Sequence, residues 1–179
     1  EINSNGTLNI LEACNRLSDV KSLVCITSDK SYKNINSNTP YKETDELKGD
    51  DPYSASKSSA DIIINSYQKT LKRKKLGISA ARAGNVIGGG DWSNDRIIPD
   101  CVKSYSKKKN VIIRNPNSTR PWQHVLEVVY GYLTLGSKLY KNHNLHGETF
   151  NFGPNKKSNY KVTFLLKKIK KYWPNFKWK

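Results

Sequence analysis

The sequence contains no methionine and three cysteines, and its 15 acidic residues face 31 lysines and arginines across 179 positions. Each shortage excludes something. Cys14, Cys25 and Cys101 form no C-x-x-C pair and have no histidine near them in sequence, so neither a disulfide framework nor a metal-ligand set is indicated. They read as buried or idle thiols in a reducing compartment. No apolar run approaches the roughly 18 residues of a membrane span, and no signal-peptide pattern opens the chain. The expectation is a cytoplasmic protein. A chain that starts at Glu1 without any methionine reads as a piece of a longer protein. There is no internal repeat, yet apolar periodic segments recur throughout, which excludes wholesale disorder.

What is present in excess is positive charge. The formal net charge is +16, and residues 155–179 hold nine lysines and no acid. Concentrated at one end, this charge argues less for nucleic-acid binding than for a solvated surface, with an anionic substrate compatible with both. The runs Lys72-Arg73-Lys74-Lys75 and Lys107-Lys108-Lys109 fall where expected helices end and where cations suit the helix dipole.

The periodicity alternates between helix and strand. Residues 5–17 read as an amphipathic helix with Leu8, Ile10, Leu11, Cys14 and Leu17 on its apolar half. Residues 20–27 contain the short apolar run of a parallel strand, ending in Thr27-Ser28-Asp29-Lys30. Residues 33–50 read as a polar surface loop. Asp51-Pro52 is an N-cap followed by proline in the first turn of a helix over 53–72, and 78–83 is the next strand. Strand, long helix and strand in succession point to a doubly wound parallel α/β sheet of the Rossmann type. Further on, helices are expected near 96–105, 125–139 and 162–173, and short strands at 111–114 and 149–152. The expected division is 1–85 as the carboxyl-side part of a dinucleotide-binding domain and 86–179 as a smaller substrate lobe.

Tyr53 and Lys57 lie four apart and share a helix face. An ammonium beside a phenol favours the phenolate, which can accept a proton from a sugar hydroxyl. Alone the spacing is an ordinary surface pair. Its context is stronger, because strands ending in Ser28 and in Arg82-Ala83-Gly84-Asn85 flank that helix, and parallel sheets bind ligands at the carboxyl ends of their strands.

This Ser, Tyr, Lys constellation resembles the short-chain dehydrogenase/reductase superfamily, in its extended branch acting on nucleotide sugars. Lys30 after Asp29 is similar to the CDP-glucose 4,6-dehydratases of that branch. So are the segments from Arg82 through Trp92, Asp95-Arg96-Ile97-Ile98-Pro99-Asp100, Arg114-Asn115-Pro116, Thr119-Arg120-Pro121-Trp122-Gln123-His124-Val125 and Asn151-Phe152-Gly153-Pro154. The resemblance implies NAD as cofactor, held on this chain by Tyr53, Lys57 and Ala83, and a nucleotide-sugar substrate. It implies that Tyr53 takes the proton of the sugar 4-hydroxyl while hydride passes to NAD+, with Ser28 orienting the oxygen. Lys30 then removes the carbon-5 proton and Asp29 protonates the departing 6-hydroxyl. Hydride returns to carbon 6, leaving a 4-keto-6-deoxy sugar. Asn85, Arg96 and Arg120 would hold the diphosphate and nucleotide, with Arg114 near the base; each also has an ordinary structural reading. His124 reads as a packed residue, and His143 and His146 carry no signal.

The match has gaps. No dinucleotide fingerprint is present, and Gly88-Gly89-Gly90 lacks its spacing. The family pattern places about three strands and three helices ahead of Glu1, at roughly 30 residues per βαβ unit. The expectation is therefore a chain that binds NAD poorly and turns over little by itself. Two alternatives stand beside the dehydratase: another nucleotide-sugar epimerase or dehydratase, and an inactive module that self-associates as a homodimer through the helices near 5–17 and 53–72. Against an epimerase stands Lys30, since epimerisation removes no water.

Overall fold

The computed structural model describes residues 1–35, 39–71, 76–154 and 159–179. The basic run 72–75, expected to end a helix, and part of the 33–50 loop lie outside the described residues. The chain forms two compact units, Glu1–Gly84 with Leu126–Gly153, and Asn85–Val125 with Pro154–Lys179.

The first unit is built on a parallel sheet. β1 (Ser22–Ser28) pairs along its full length with β2 (Gly77–Ala83), and β2 pairs with β6 (Thr149–Phe152). β2 is buried at every position. Its small residues let helices approach closely, and its alternation assigns the faces. Ile78 and Ala80 point into a core with Leu11 of α1 (Ile2–Arg16), Ile64 of α2 (Pro52–Thr70) and Leu76. On α1 only Leu11 is buried. Leu8, Ile10 and Leu17 of its expected apolar face are exposed. α4 (Val125–Lys141) packs so tightly that a Cβ on Gly131 would overlap the Phe152 ring of β6. It buries Val128, Leu135 and Leu139 and leaves Leu126, Val129, Tyr130 and Leu133 exposed. No helix among the described residues is long and apolar enough to cross a membrane.

A single break at 85/86 is not what the fold adopts. Most of α4 and all of β6 belong to the first unit, because β6 completes the sheet beside β2. His146, read as uninformative, is a tie within that unit. Its Nδ1 accepts the Ile78 amide at 3.1 Å, which leaves the ring proton on Nε2, 3.0 Å from the Gln68 carbonyl. One side chain thereby joins the end of α2 to the start of β2.

The second unit holds α3 (Ile97–Ser106) and α5 (Val162–Tyr172), packed through Cys101, Val111, Val162, Leu166 and Phe176. Its strands are two-residue pairs: β3 (Val86–Ile87) with β5 (Gln123–His124), and β4 (Thr119–Arg120) with β7 (Tyr160–Lys161). The strand expected at 111–114 does not form. Val111 and Ile113 bond to the last residues of the chain, Lys177 and Lys179, while Ile112 between them is exposed. His124, expected to be packed, is exposed on β5.

Burial pushes the Cys25 and Cys101 thiols up to about 12. Since the thiolate is the nucleophile, both are expected to resist alkylation at neutral pH in the folded chain. Peptide mass spectrometry after iodoacetamide treatment checks this, and labelling of either at the rate seen in the urea-unfolded chain would contradict the packing.

Candidate active site

Three elements of the first unit converge at the carboxyl end of the sheet. β1 ends at Ser28, and the register places Ser28 beside Ala83, the last residue of β2. The chain then enters a 3-10 turn, Asp29–Ser31. Ser28 is its N-cap: its Oγ accepts the Lys30 amide at 3.2 Å and donates to Asp29 Oδ1 at 3.1 Å. The Ser31 carbonyl accepts from Ser58 Oγ of α2 at 2.8 Å and from the Lys48 amide at 3.0 Å. The proposed proton-transfer pair, Asp29 and Lys30, thus sits on a turn bonded to its own cap, to α2 and to the segment that follows.

α2 brings the second pair. Its N-cap, Asp51, accepts the amides of Tyr53 and Ser54 and the Ser54 hydroxyl. The Ser54 contacts, hydroxyl first, hold the Asp51 carboxyl below its ordinary value, with the Lys30 ammonium adding to the effect. This cap fixes the first helical turn, and the first turn carries Tyr53. Tyr53 is 48% exposed, and the Lys57 ammonium lies 6.0 Å from its ring centroid. Among the described residues neither the Tyr53 hydroxyl nor the Lys57 ammonium has a hydrogen-bond partner in the protein. Polar groups presented this way suit the hydroxyls of a ribose or sugar.

Gly49 guards the same helix end. A Cβ there would fall inside the backbone of Ser54 and Ala55. Gly49→Ala must push α2 away from the 41–50 segment, and overpacking of this kind costs about 1–3 kcal/mol. We expect a lower melting temperature together with faster amide exchange over 51–55, measured by hydrogen exchange and mass spectrometry. An unchanged melting curve would contradict the close approach.

The segment read as a plain polar loop is more ordered than its composition suggested. Tyr32 and Leu47 form an antiparallel bridge, and Lys33 bonds Glu46 through both backbone and side chain. Tyr41 stacks on Tyr32 with centroids 4.7 Å apart. Beneath them lies a buried ion pair, Arg82 with Asp61, 2% and 0% exposed. Asp61 went unread in the sequence. Its spacing was the available signal, since 53, 57 and 61 follow one another at four-residue steps along α2.

The proposed nucleotide-binding residues fall in the second unit. Asn85 offers its backbone carbonyl to the Gln123 amide at 3.0 Å. Arg96 is the N-terminal flanking residue of α3 and is exposed. Arg120 is exposed on β4, its Nη1 2.8 Å from the carbonyl of Thr119. Arg114 is exposed and bonded to Asp95 at 2.8 Å. Asp95 holds a left-handed backbone, φ 58°, which an aspartate tolerates better than most residues. The residues proposed for catalysis are thus gathered within one unit and the arginines within the other.

Residues 1–153 match the NAD dependent epimerase/dehydratase family. The chain is 40% identical over 174 residues to CDP-glucose 4,6-dehydratase of Salmonella typhimurium, covering 94% of this chain and 48% of that protein. It is 27% identical over 143 residues to dTDP-D-glucose 4,6-dehydratase of Dictyostelium discoideum, covering 74% of this chain and 32% of that one. Among solved structures, dTDP-glucose 4,6-dehydratase from Bacillus anthracis, in complex with NAD, superposes with a TM-score of 0.78 at 23% identity, over 99% of this chain and 55% of its own. UDP-glucuronic acid 4-epimerase from Bacillus cereus, in complex with UDP-glucuronic acid and NAD, gives 0.83 at 19%, over 99% and 53%. The chain spans about half the length of these relatives or less. It belongs to the NAD-dependent epimerase/dehydratase family.

Proposed function

We propose that this chain carries the sugar-transforming residues of a CDP-glucose 4,6-dehydratase. The observation that carries the reading is the capped turn at the end of β1. It sets a carboxyl, Asp29, next to an amine, Lys30, beside the helix that presents Tyr53 and Lys57. An epimerase has no use for such a couple, whereas loss of water across two carbons needs one group to take a proton and another to give one.

NAD fits this chain at one end only. Tyr53, Lys57 and Ala83 suit the nicotinamide and its ribose. No glycine-rich turn from strand to helix is present among the described residues to cradle the pyrophosphate. Gly88–Gly90 follow a two-residue strand, with open space around Gly89 and Gly90. When bound, the nicotinamide supplies a transient two-electron oxidation at carbon 4 of the sugar.

The chain's own residues do the rest. Tyr53 accepts the proton of the 4-hydroxyl as carbon 4 becomes a ketone, and the Lys57 ammonium offsets charge on the phenol oxygen. Ser28 turns its one hydroxyl hydrogen from Asp29 Oδ1 to the 4-oxygen. The Lys30 ammonium first gives its proton to the Asp29 carboxylate, leaving an amine beside a carboxylic acid. The ketone acidifies the carbon-5 hydrogen, which passes as a proton to that amine. The carbon 6–oxygen bond breaks, and the Asp29 carboxyl gives its proton to the departing hydroxide, releasing water. With the hydride taken from carbon 4 returned at carbon 6 and the proton held by Lys30 returned at carbon 5, the product is CDP-4-keto-6-deoxyglucose.

The test is an exchange enzyme in which all 179 residues replace the segment they match in the Salmonella relative. Formation of the 4-keto-6-deoxy product from CDP-glucose supports the reading. Binding of NAD+ without product, in a folded protein, refutes it.

A further inference from the structure

A guanidinium that is 2% exposed in a strand of alanines calls for a reason. Burying a charge is costly, and an apolar residue of similar size often serves stability as well or better. Arg82 continues the parity of Ile78 and Ala80, so it points to the α2 side of the sheet, at its carboxyl end. Three of its contacts there come from three different segments: Nε to Asp61 Oδ1 of α2 at 3.1 Å, Nη1 to the Tyr32 hydroxyl at 2.7 Å, and Nη1 to the Glu43 carbonyl at 3.1 Å. The guanidinium also stacks over the Tyr32 ring, 4.7 Å from its centroid.

Tyr32 passes the connection on. Its hydroxyl donates to Asn151 Oδ1 of β6 at 2.7 Å. Asn151 donates its amide to the Glu43 carboxylate at 2.8 Å and its side-chain nitrogen to the Tyr41 carbonyl at 3.1 Å. Burial raises the Tyr32 phenol above its ordinary value, against the pull of Arg82, so the hydroxyl keeps the proton it donates. The bonds close a circuit through two strands, α2, the residue after the Asp29–Ser31 turn, and the 41–43 segment.

We infer that Arg82 is a positioning residue, which fixes the Asp29–Lys30 turn through the Tyr32 hydroxyl and seats the 41–47 segment beside it. Its burial keeps it from touching a sugar. The inference rests on the dehydratase reading for its catalytic consequence and on the bonds alone for the anchoring.

Tyr32→Phe isolates the effect, since it keeps the ring stacked on Tyr41 and under Arg82 and removes only the hydroxyl. In the full 179-residue chain, amide exchange over 29–33 and 41–47 should quicken about tenfold, the order expected for losing buried hydrogen bonds, while β2 stays protected. In the exchange enzyme, product formation should fall with KM for CDP-glucose unchanged, and reduced nicotinamide should accumulate. Oxidation depends on Tyr53 and Lys57, held by α2, and on Ser28, whose backbone stays in register beside Ala83, whereas elimination depends on the loosened turn. A merely structural role would lower stability and leave that partition unmoved.

Unchanged exchange at 29–33, or equal loss of oxidation and elimination, overturns the inference. Should Tyr32→Phe fail to fold, Asn151→Asp serves. It keeps the acceptor for Tyr32 and loses the donor to Tyr41, so 41–47 should loosen while 29–33 stays protected; loosening of both alike counts against the anchor. The exchange measurement needs no substrate. An exchange enzyme that binds NAD+ but makes no product sinks the dehydratase reading and leaves the anchoring to be judged by exchange.

Discussion

Tyr53→Phe should abolish most turnover and leave the fold untouched. In the exchange enzyme, kcat for the 4-keto-6-deoxy product is expected to fall about 10²- to 10⁴-fold, the usual contribution of a positioned proton acceptor. Stability should not follow. The residue is half exposed, its hydroxyl has no protein partner among the described residues, and the ring that faces the Lys57 ammonium is retained. The Asp51 cap that orients the first turn of α2 bonds the Tyr53 amide, which phenylalanine also supplies. The melting curve of the variant should therefore overlay that of the parent. The comparison with Lys30→Met sharpens the assignment. Loss of Tyr53 stops the reaction before the sugar is oxidised, so no reduced nicotinamide forms. Loss of Lys30 stops it afterwards, so reduced nicotinamide accumulates without product. If Tyr53→Phe retains more than a tenth of the parent rate, another group takes the 4-hydroxyl proton and the assignment falls.

Legibility in the sequence followed the range of the interactions. Asp51-Pro52 announced the start of α2 because capping and proline are local chemistry, and the observed helix begins at Pro52. The apolar run in β1 announced a parallel strand for the same reason. Ser28 and Tyr53 stood out because each lies at the end of a readable element, and Lys57 because it follows one turn along α2; Asp29 and Lys30 took their expected roles from the resemblance. The strand expected at 111–114 failed because its alternation is satisfied from the far end of the chain, by Lys177 and Lys179, which give a bridge and not a strand. The break at 85/86 failed because nothing near residue 149 says that Thr149–Phe152 returns to pair with Ala80–Ala83. Asp61 was silent for a related reason. It looks like an ordinary polar residue until Arg82, 21 positions away, brings the charge that makes its burial tolerable.

Asp61→Ala should be the most destabilising of the substitutions considered. It leaves the Arg82 guanidinium 2% exposed with no counter-charge, while the Tyr32 hydroxyl and the Glu43 carbonyl remain as neutral partners. Breaking a buried pair on one side costs about 3–5 kcal/mol, which for a chain of this size lowers the melting temperature on the order of 10 °C. Asp61→Asn should cost less, since its amide oxygen can still accept from Arg82 Nε. The double variant Asp61→Leu with Arg82→Met removes both charges and fills the space with apolar groups that join Ile78, Ala80 and Ile64. It should be more stable than Asp61→Ala, because the largest penalty belongs to the unpaired charge and disappears with it. Stability restored in this way should not restore the anchor. The Tyr32 hydroxyl would keep Asn151 and lose Arg82, so exchange over 29–33 should remain fast in the double variant even as its melting temperature recovers. Thermal melts and amide exchange on these proteins, with the single variants Asp61→Leu and Arg82→Met beside them, separate the two roles. If the double variant is as unstable as the two single losses added together, Asp61 and Arg82 stabilise the unit independently, and the buried pair has no mutual dependence to explain.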